Sequence, residues 1–338
     1  MFAFKRGAVP AGAIAVTLGL AVAGCGSSTS SSSTGTGSGS GSGSGTTPAA
    51  KAGGKLKSVL FVNPLPKNPQ WRLIGDCVSK EAKARGIPAT ETGPTGNLDP
   101  VTMVNQIQQG IASKSGAILT YPASPAFGAV LKQATSAGII TGTMYGGADS
   151  AVGQFNTGVD WGALGKQYVA ALAGRPGKQV VGLLAVSPTG VGKAFVDGFK
   201  SAAAKTSNVT VKAVAYTDDD PAKTLTQVNA LLQANPDINV VASHMGTSTT
   251  PVISAIKAKK DVGKVMFMGN GATGGGSQGA KAGIVYKFLL QDLCTEGKSA
   301  VDAAAGLAAG KKVAKDLPIA TVMAGLNDYQ SYLNKGWM

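Results

Sequence analysis

Histidine and cysteine are almost missing from the sequence, and their scarcity excludes the commonest metal-binding and catalytic arrangements. The chain of 338 residues has one histidine, His244, and three cysteines. No Cys-x-x-Cys pair and no Cys/His cluster has the spacing of a zinc site. A lone histidine at the end of a predicted strand is more often a hydrogen-bonded structural group than a catalyst. We therefore expect neither a metal nor a cofactor.

Acidic residues are also scarce, with 17 Asp and Glu against 31 Lys and Arg, which gives a formal charge of +14. Such a balance can indicate a nucleic acid or an anionic surface as partner. The basic residues are scattered along predicted helices, as at Lys80, Lys83 and Arg85, without interleaved aromatic residues. We expect solvated helix faces and no nucleic-acid partner. Attraction to an anionic wall or membrane is the alternative.

The sequence lacks an apolar run of the about 20 residues that a membrane-spanning helix needs. Lys5 and Arg6 instead precede a short apolar stretch, Gly7 to Val22, as in an export signal. The following Val22-Ala23-Gly24-Cys25 resembles the cleavage site of a bacterial lipoprotein. We predict that residues 1–24 are a lipoprotein signal peptide and that Cys25 is lipidated. An ordinary cleavage site with an incidental cysteine is the alternative.

Residues 25–54 are predicted to be a disordered tether. Ser27 to Thr47 contains only Ser, Thr and Gly, so this stretch buries no apolar surface to offset its ordering entropy. A flexible coil of this length has a root-mean-square reach of roughly 25 to 30 Å. We therefore expect the globular part to lie close to the outer face of the cell membrane, outside the cytoplasm.

From Lys55 onward, short apolar runs alternate with helical patterns, which predicts βαβ units on parallel sheets. Asp99-Pro100 and Asp220-Pro221 each supply an N-cap and a proline for a helix start. The predicted strands are Ser58–Val62, Ile87–Glu91, Gly116–Thr120, Ile139–Met144, Gln179–Ala185, Val209–Tyr216, Ile238–Ala242, Lys264–Met268 and Gly283–Phe288. The predicted helices are Gln70–Arg85, Pro100–Ser113, Pro125–Ala137, Asp160–Ala173, Val191–Lys205, Pro221–Ala234 and Pro251–Lys259.

Three motifs suggest chemistry that their surroundings do not favour. Gly275 to Gly279 matches the G-x-S-x-G of serine hydrolases, but the single histidine precedes Ser277 in the chain. Gly269 to Gly274 matches G-x-G-x-x-G, but no acidic residue ends the next predicted strand, so a ligand-facing loop is favoured. In Asp218-Asp219-Asp220, the third residue is interpreted as a helix cap and the others as a solvated turn rather than a calcium site.

Six segments together resemble the type I periplasmic binding proteins of the sugar-binding, ribose-like group, which are the soluble receptors of ABC importers. Asn68-Pro69-Gln70-Trp71 opens the first helix in the manner of that family. The other segments are "NQIQQGIASKSGAILT" with the adjoining "YPASPAFGAVLKQATSAGII", "NTGVDWGALG", "GKAFVDGF", "PDINVVASH" and "GIVYKFLLQD". The resemblance covers nearly everything from Lys55 to the carboxyl end.

The resemblance implies an α/β fold of two Rossmann-like lobes with parallel sheets, joined by a three-crossing hinge, with the ligand held between the lobes. It places lobe 1 at residues 55–157 and 292–321, lobe 2 at 158–291, and a C-terminal segment, 322–338, near the hinge. It implies ligand-binding roles for Asn68, Trp71 and, at a hinge crossing, Gln291.

Two cysteines remain beyond the anchor, Cys77 and Cys294, and an even number in an oxidising compartment permits a disulfide. Two isolated buried thiols are the alternative. The family topology implies that both residues lie on helices of lobe 1, where a bond between them would staple that lobe and leave the hinge free.

The chain departs from the family at positions where sugar binders often carry charged residues or Asn. Tyr145-Gly146, Phe195, Met245-Gly246 and Gly271 occupy those positions. A neutral or partly aromatic ligand is therefore expected, and Tyr121, Tyr145, Met245 and Asn270 are candidates to line its site.

The sequence as a whole predicts a monomeric binding protein rather than an enzyme. Its expected partners are a small neutral solute, a sugar or sugar-like molecule, the permease of an ABC importer, and a membrane reached through the lipid anchor. Two other functions stay open at this point. One is a receptor that passes the ligand signal to a signalling partner, and the other is a secreted hydrolase that uses Ser277.

Overall fold

The computed structural model describes residues 53–146 and 152–338. Cys25, the predicted signal peptide and the predicted tether as far as residue 52 lie outside the described residues. The strands are β1 Val59–Val62, β2 Ala89–Thr92, β3 Ala117–Thr120, β4 Ile140–Met144, β5 Phe155–Gly158, β6 Gln179–Ala185, β7 Val209–Tyr216, β8 Val240–Ser243, β9 Met266–Asn270, β10 Val285–Gln291, β11 Asp316–Pro318 and β12 Thr321–Ala324.

The helices alternate with these strands along most of the chain, as the sequence predicts. They are α1 Pro69–Ala84, α2 Pro100–Ala112, α3 Ala126–Ser136, α4 Trp161–Ala173, α5 Gly190–Ala203, α6 Pro221–Ala234, α7 Thr249–Ala258, α8 Gly276–Lys281, α9 Leu293–Ala308 and α10 Tyr329–Leu333. A short 3₁₀ helix, Gly246–Ser248, precedes α7.

The described strands form two sheets of six strands each. The first has the order β11-β5-β4-β3-β1-β2 and the second the order β12-β10-β9-β8-β6-β7. The pairing of β10 with β12 is antiparallel, and the other pairings are parallel. We call each sheet with its packed helices the first lobe and the second lobe. This architecture confirms the predicted α/β fold of two mostly parallel sheets.

The central strands are apolar because helices cover both faces of each sheet. In the first lobe, α1 and α2 contact β1, while α3 and α9 contact β4. Ile118 and Leu119 are neighbours on β3, so their side chains point to opposite faces of the sheet, and both are fully buried. A continuous apolar run is therefore what a strand in this position requires.

Three helices begin with a side-chain cap followed by proline, two of them at the caps that the sequence predicts, Asp99 and Asp220. The side-chain oxygen of Asn68 accepts from the Gln70 N–H at 3.0 Å at the start of α1. Asp99 accepts from Val101 N–H at 3.0 Å, and Asp220 accepts from Lys223 N–H at 2.8 Å. A proline follows each cap, where its missing N–H costs no helical hydrogen bond. These contacts confirm the predicted starts of α2 and α6.

The chain passes between the lobes along three segments, β5 to α4, β10 to α9, and β11 to β12. Two hydrogen bonds join these segments side by side. The Ile319 N–H donates to the Gly158 carbonyl at 2.8 Å, and the Asp292 N–H donates to the Ala320 carbonyl at 3.1 Å. The three segments are therefore coupled to one another through their backbones.

A disulfide joins Cys77 in α1 to Cys294 in α9, with their Cα atoms 5.3 Å apart. The helices approach closely because Gly297 has no side chain, and a Cβ there would lie 2.6 Å from the Ile74 carbonyl oxygen. Both helices pack on the first sheet. The bond therefore ties the returning segment, α9, to the first helix of the same lobe.

Candidate functional site

A cavity of about 720 Å³ lies where the carboxyl ends of the two sheets face each other. The loop after β1, Tyr121 after β3 and Tyr145 after β4 supply its wall from the first lobe. The loops after β6, β7, β8 and β9 supply the wall from the second lobe. Ligands of open α/β sheets bind at this end of the strands, and the volume is typical of a small-molecule site.

Four aromatic side chains form a continuous wall of the cavity, which we call the aromatic wall. The Trp71 ring lies 5.5 Å from Tyr121 and 5.4 Å from Tyr145, measured between ring centroids. Trp161 continues the wall from the second lobe, 5.4 Å from Tyr145. Tilted and edge-on contacts of this kind hold each ring in place. The wall therefore presents fixed aromatic surface to whatever enters.

Tyr145 is held at the centre of the aromatic wall by contacts through its backbone and its hydroxyl. Its N–H donates to the Thr157 carbonyl at 2.8 Å and to Glu296 Oε1 at 2.6 Å. Its carbonyl accepts from Trp161 Nε1 at 3.3 Å, and its hydroxyl donates to Gln291 Oε1 at 3.0 Å. Its φ of 59° is a left-handed conformation that a non-glycine residue adopts at a cost. These hydrogen bonds compensate that cost.

Gln291 lies behind the cavity and orients the amide that faces it. The Gln291 Nε2 group donates to Asn270 Oδ1 at 3.2 Å, and Asn270 Nδ2 donates to the His244 carbonyl at 2.8 Å. Gln291 is fully buried, and Asn270 lines the cavity. These hydrogen bonds fix the orientation of the Gln291 and Asn270 amides, that is, which side of each carries the oxygen and which the nitrogen.

His244 is a buried, neutral part of the wall. Its ring lies 5.2 Å from Trp161 and 4.8 Å from Phe195. Desolvation lowers the pKa of His244 to about 3, and its Nε2 accepts from the Val186 N–H at 3.4 Å. An imidazole in this environment is uncharged at neutral pH. The arrangement agrees with the interpretation of His244 as a structural group.

The three consecutive aspartates have three different roles. Asp220 caps α6, as the sequence predicts, and Asp218 forms an exposed ion pair with Lys223. Asp219, interpreted from the sequence as part of a solvated turn, lies in an exposed turn and also lines the cavity, where its carboxylate accepts a hydrogen bond from the Thr247 hydroxyl. Although the residue keeps exposed surface, desolvation by the surrounding protein raises the pKa of its carboxylate. The predicted exposed turn is therefore confirmed, and Asp219 in addition lines the cavity.

The structure brings six of the seven predicted ligand-binding residues to the cavity, and these are Asn68, Trp71, Tyr121, Tyr145, Met245 and Asn270. Gln291 supports two of them from behind. Sequence reasoning missed Trp161 and Asp219 as lining residues. Trp161 lies three residues after β5, a strand that the sequence did not predict. The signal for Asp219 was its position in the loop after β7, three residues beyond the end of that strand.

The hydrolase motif does not form a nucleophile elbow. Ser277 lies inside the short helix α8, several residues after β9 ends, and its hydroxyl donates to the Ala272 carbonyl at 3.0 Å. An elbow needs a strand that runs directly into the serine. Within residues 53–146 and 152–338, no group of His, Cys, Asp and Glu side chains could hold a metal ion.

The buried Glu296 carboxyl gives a prediction about stability. Burial raises the pKa of Glu296 to about 8, against a smaller opposing effect of the Tyr145 N–H. The folded protein therefore keeps a proton that the unfolded chain releases above about pH 4.5. By linkage, Glu296 makes the wild type lose stability as the pH rises from about 4.5 to about 8. Glu296→Gln should flatten this part of the profile, measured as urea midpoints across that range.

A matched control is Glu81→Gln, because Glu81 forms a surface ion pair with Arg85. The Glu81 variant should keep the pH dependence of the wild type. If Glu296→Gln shows the same loss of stability with rising pH as the wild type, Glu296 does not hold a proton in the folded state.

Two parallel-sheet lobes with an aromatic cavity between them define a binding protein of the two-lobed type. The sequence model of a protein family, the periplasmic binding protein domain, matches residues 59–312. The chain belongs to this family. Proteins of this family work outside the cytoplasm and bind solutes for transport, and they are not enzymes. None of the curated proteins compared with this sequence matches it.

Solved structures of sugar-binding proteins share the fold. A glucose-galactose binding protein from Geobacillus stearothermophilus is 20% identical, with a TM-score of 0.75, over 81% of this chain and 99% of that one. A solute-binding protein from Burkholderia graminis in complex with D-arabinose is 18% identical, with a TM-score of 0.74, over 82% and 98%. A sugar-binding protein from Bacillus halodurans is 16% identical, with a TM-score of 0.72, over 82% and 99%.

Among the described residues, no helix combines the length and apolar character needed to cross a bilayer.

Proposed function

We propose that this protein is the lipid-anchored solute receptor of an ABC importer and captures a small solute, a sugar or sugar-like molecule, between its lobes. The observation that carries this proposal is the cavity at the carboxyl ends of the two sheets, with aromatic rings on one side and oriented amides beside them. Aromatic faces stack on the apolar faces of sugar rings, while amides bind hydroxyl groups.

The proposed lobes are residues 55–157 with 292–321, and residues 158–291, with residues 322–338 near the hinge. Two backbone hydrogen bonds support this place for the C-terminal segment. The Gln291 N–H donates to the Met338 carbonyl at 2.6 Å, and the Met338 N–H donates to the Gln291 carbonyl at 3.1 Å. The solute shifts the population toward the closed form because it contacts both lobes only there. The closed, loaded monomer would be recognised by the permease.

The test of this function is a thermal-shift screen of the purified protein with D-glucose, D-galactose, D-arabinose and other small metabolites, together with mass spectrometry of any co-purified molecule. A captured solute should raise the melting temperature with its concentration. It should also change the fluorescence of Trp71 or Trp161, since both side chains line the cavity. A cavity that binds none of a broad carbohydrate and metabolite panel would contradict the proposal.

The proposed lipid anchor gives a second test. Cys25→Ser removes the only thiol available for lipidation next to the predicted signal peptide. The variant is expected to move from the membrane fraction to the soluble or secreted fraction, because a hydrophilic tether alone does not bind lipid. Cell fractionation and immunoblotting measure the change, and Ser27→Ala serves as control. Unchanged membrane retention of the Cys25 variant would contradict lipidation at this residue.

A further inference from the structure

We infer that the cavity is selective for a solute that carries a positive charge, such as a protonated amino group, on its small ring or chain. This inference rests on the proposed function and specifies its substrate class. The missing charged residues of the family pattern led to the expectation of a neutral solute. The position of Asp219 changes that expectation.

Asp219 is the one formally charged side chain among the described residues that line the cavity. His244 also lines the cavity, but it is neutral because burial lowers its pKa to about 3. The described part of the chain offers no arginine or lysine in an ion pair with Asp219, whereas its neighbour Asp218 is paired with Lys223. Asp219 therefore pairs with no protein cation in the described part of the chain, and its carboxylate is accessible from the cavity.

The aromatic wall and Asp219 line the same cavity. Burial, and additionally the charge of Asp219, raise the pKa of Tyr121. Burial raises the pKa of Tyr145, with smaller contributions from the charge of Glu296 and then that of Asp219, and the Tyr145 ring contacts Trp71 and Trp161. A cation placed between the rings and Asp219 gains from both, since aromatic faces attract positive charge. An anion in the same place would be repelled by both.

The loop after β7 holds Asp219 in this position. Asp218 and Asp219 both have left-handed backbones, with φ of 52° and 59°. Two such residues in succession cost free energy and tend to occur at functional sites. The Thr247 hydroxyl, on the adjoining 3₁₀ helix, donates to the Asp219 carboxylate and fixes its direction.

Hydrogen-bonding groups that a polyhydroxylated neutral sugar would need are partly occupied already. Both ends of the Asn270 amide have protein partners, and the Thr250 hydroxyl donates to the Gly274 carbonyl. The Thr247 hydroxyl donates to the Asp219 carboxylate. Asn270, Thr250 and Thr247 therefore keep only part of their hydrogen-bonding capacity for a ligand.

The experiment compares compounds that differ in charge but not in shape. Choline is paired with 3,3-dimethyl-1-butanol, and D-glucosamine with D-glucose, at a pH where the amine is protonated. Binding to the wild-type protein is measured by calorimetry, after a thermal-shift screen of other small cations with their neutral isosteres. The charged member of each binding pair should bind at least about tenfold more tightly.

Asp219→Asn should remove this preference, while Asp218→Asn is the matched control and should keep it. Asparagine tolerates the left-handed conformation, so the loop geometry survives in both variants. The wild-type comparison tests the inference even if the Asp219 variant does not fold.

Equal or tighter binding of the neutral member, or an unchanged preference in Asp219→Asn, would overturn the inference. If a neutral sugar binds the wild type without a charged preference and Trp71→Ala abolishes that binding, the inference is overturned and the proposed function stands. Failure of every compound in the panel would count against both.

Discussion

Trp71→Ala is expected to weaken binding of the captured solute by about 100-fold, the effect of removing a central aromatic contact. The Trp71 side chain is 8% exposed in the free protein and lies at the centre of the aromatic wall, against Tyr121 and Tyr145. Its removal takes away stacking surface and frees both tyrosine rings to move. Calorimetry with the compound that stabilises the wild type measures the loss.

Trp337→Ala is the matched control for this variant. Trp337 packs on Tyr332 near the carboxyl end and does not line the cavity. Its removal should leave the affinity within about twofold of the wild type, whereas Trp71→Phe should keep part of the stacking. An affinity for Trp71→Ala close to that of the wild type would mean that the solute binds elsewhere.

Replacing both Cys77 and Cys294 with alanine is expected to lower the free energy of unfolding by about 3 to 5 kcal/mol. The bond joins residues 217 positions apart, so the reduced unfolded chain gains a large amount of conformational freedom. Alanine is preferred to serine because Cys77 is buried, and a hydroxyl there would add a polar penalty. Urea unfolding measures the loss.

Reduction of the wild-type protein should reproduce the loss of the double variant, and Cys25→Ala should leave stability unchanged. The solute affinity of the folded double variant should stay near the wild-type value, because neither Cys77 nor Cys294 lines the cavity. Quantitative free thiols at Cys77 and Cys294 under non-reducing conditions would contradict the bond itself.

The parts of the fold that sequence reasoning located best are those with strong local signals. The bounds of β6, β7 and α6 agree with their predictions, because long apolar runs and an Asp-Pro cap define them. Other predicted elements differ from the structure by a few residues at their ends. Helix ends depend on contacts outside the helix, so such differences are expected.

The elements that were not predicted lack such signals. Strand β5, Phe155–Gly158, has one large apolar residue and is a strand because it pairs with β4 and β11. Strand β11 is a three-residue edge strand that ends in proline. Helix α9 is rich in alanine and glycine, and its periodicity is weak because close packing on α1 requires small residues.

The same distinction applies to the site. Residues that directly follow a predicted strand, such as Tyr121 and Tyr145, could be placed at the sheet edge from the sequence alone. Trp161 reaches the cavity through the unpredicted β5. Asp219 reaches it through a backbone conformation that no local pattern specifies. The positions of Trp161 and Asp219 at the cavity therefore depend on tertiary structure.

The discontinuous first lobe affects the order in which the chain can fold. Synthesis proceeds from the amino end, so β1 to β5 emerge long before α9 and β11, which complete the same lobe. The second lobe, nearly continuous in sequence, can fold in the meantime. Cys77 remains a free thiol until Cys294, 217 residues later in the chain, has been synthesised. Premature cross-linking and exposed sheet edges are therefore hazards of the nascent chain, which chaperones and thiol oxidoreductases would have to control.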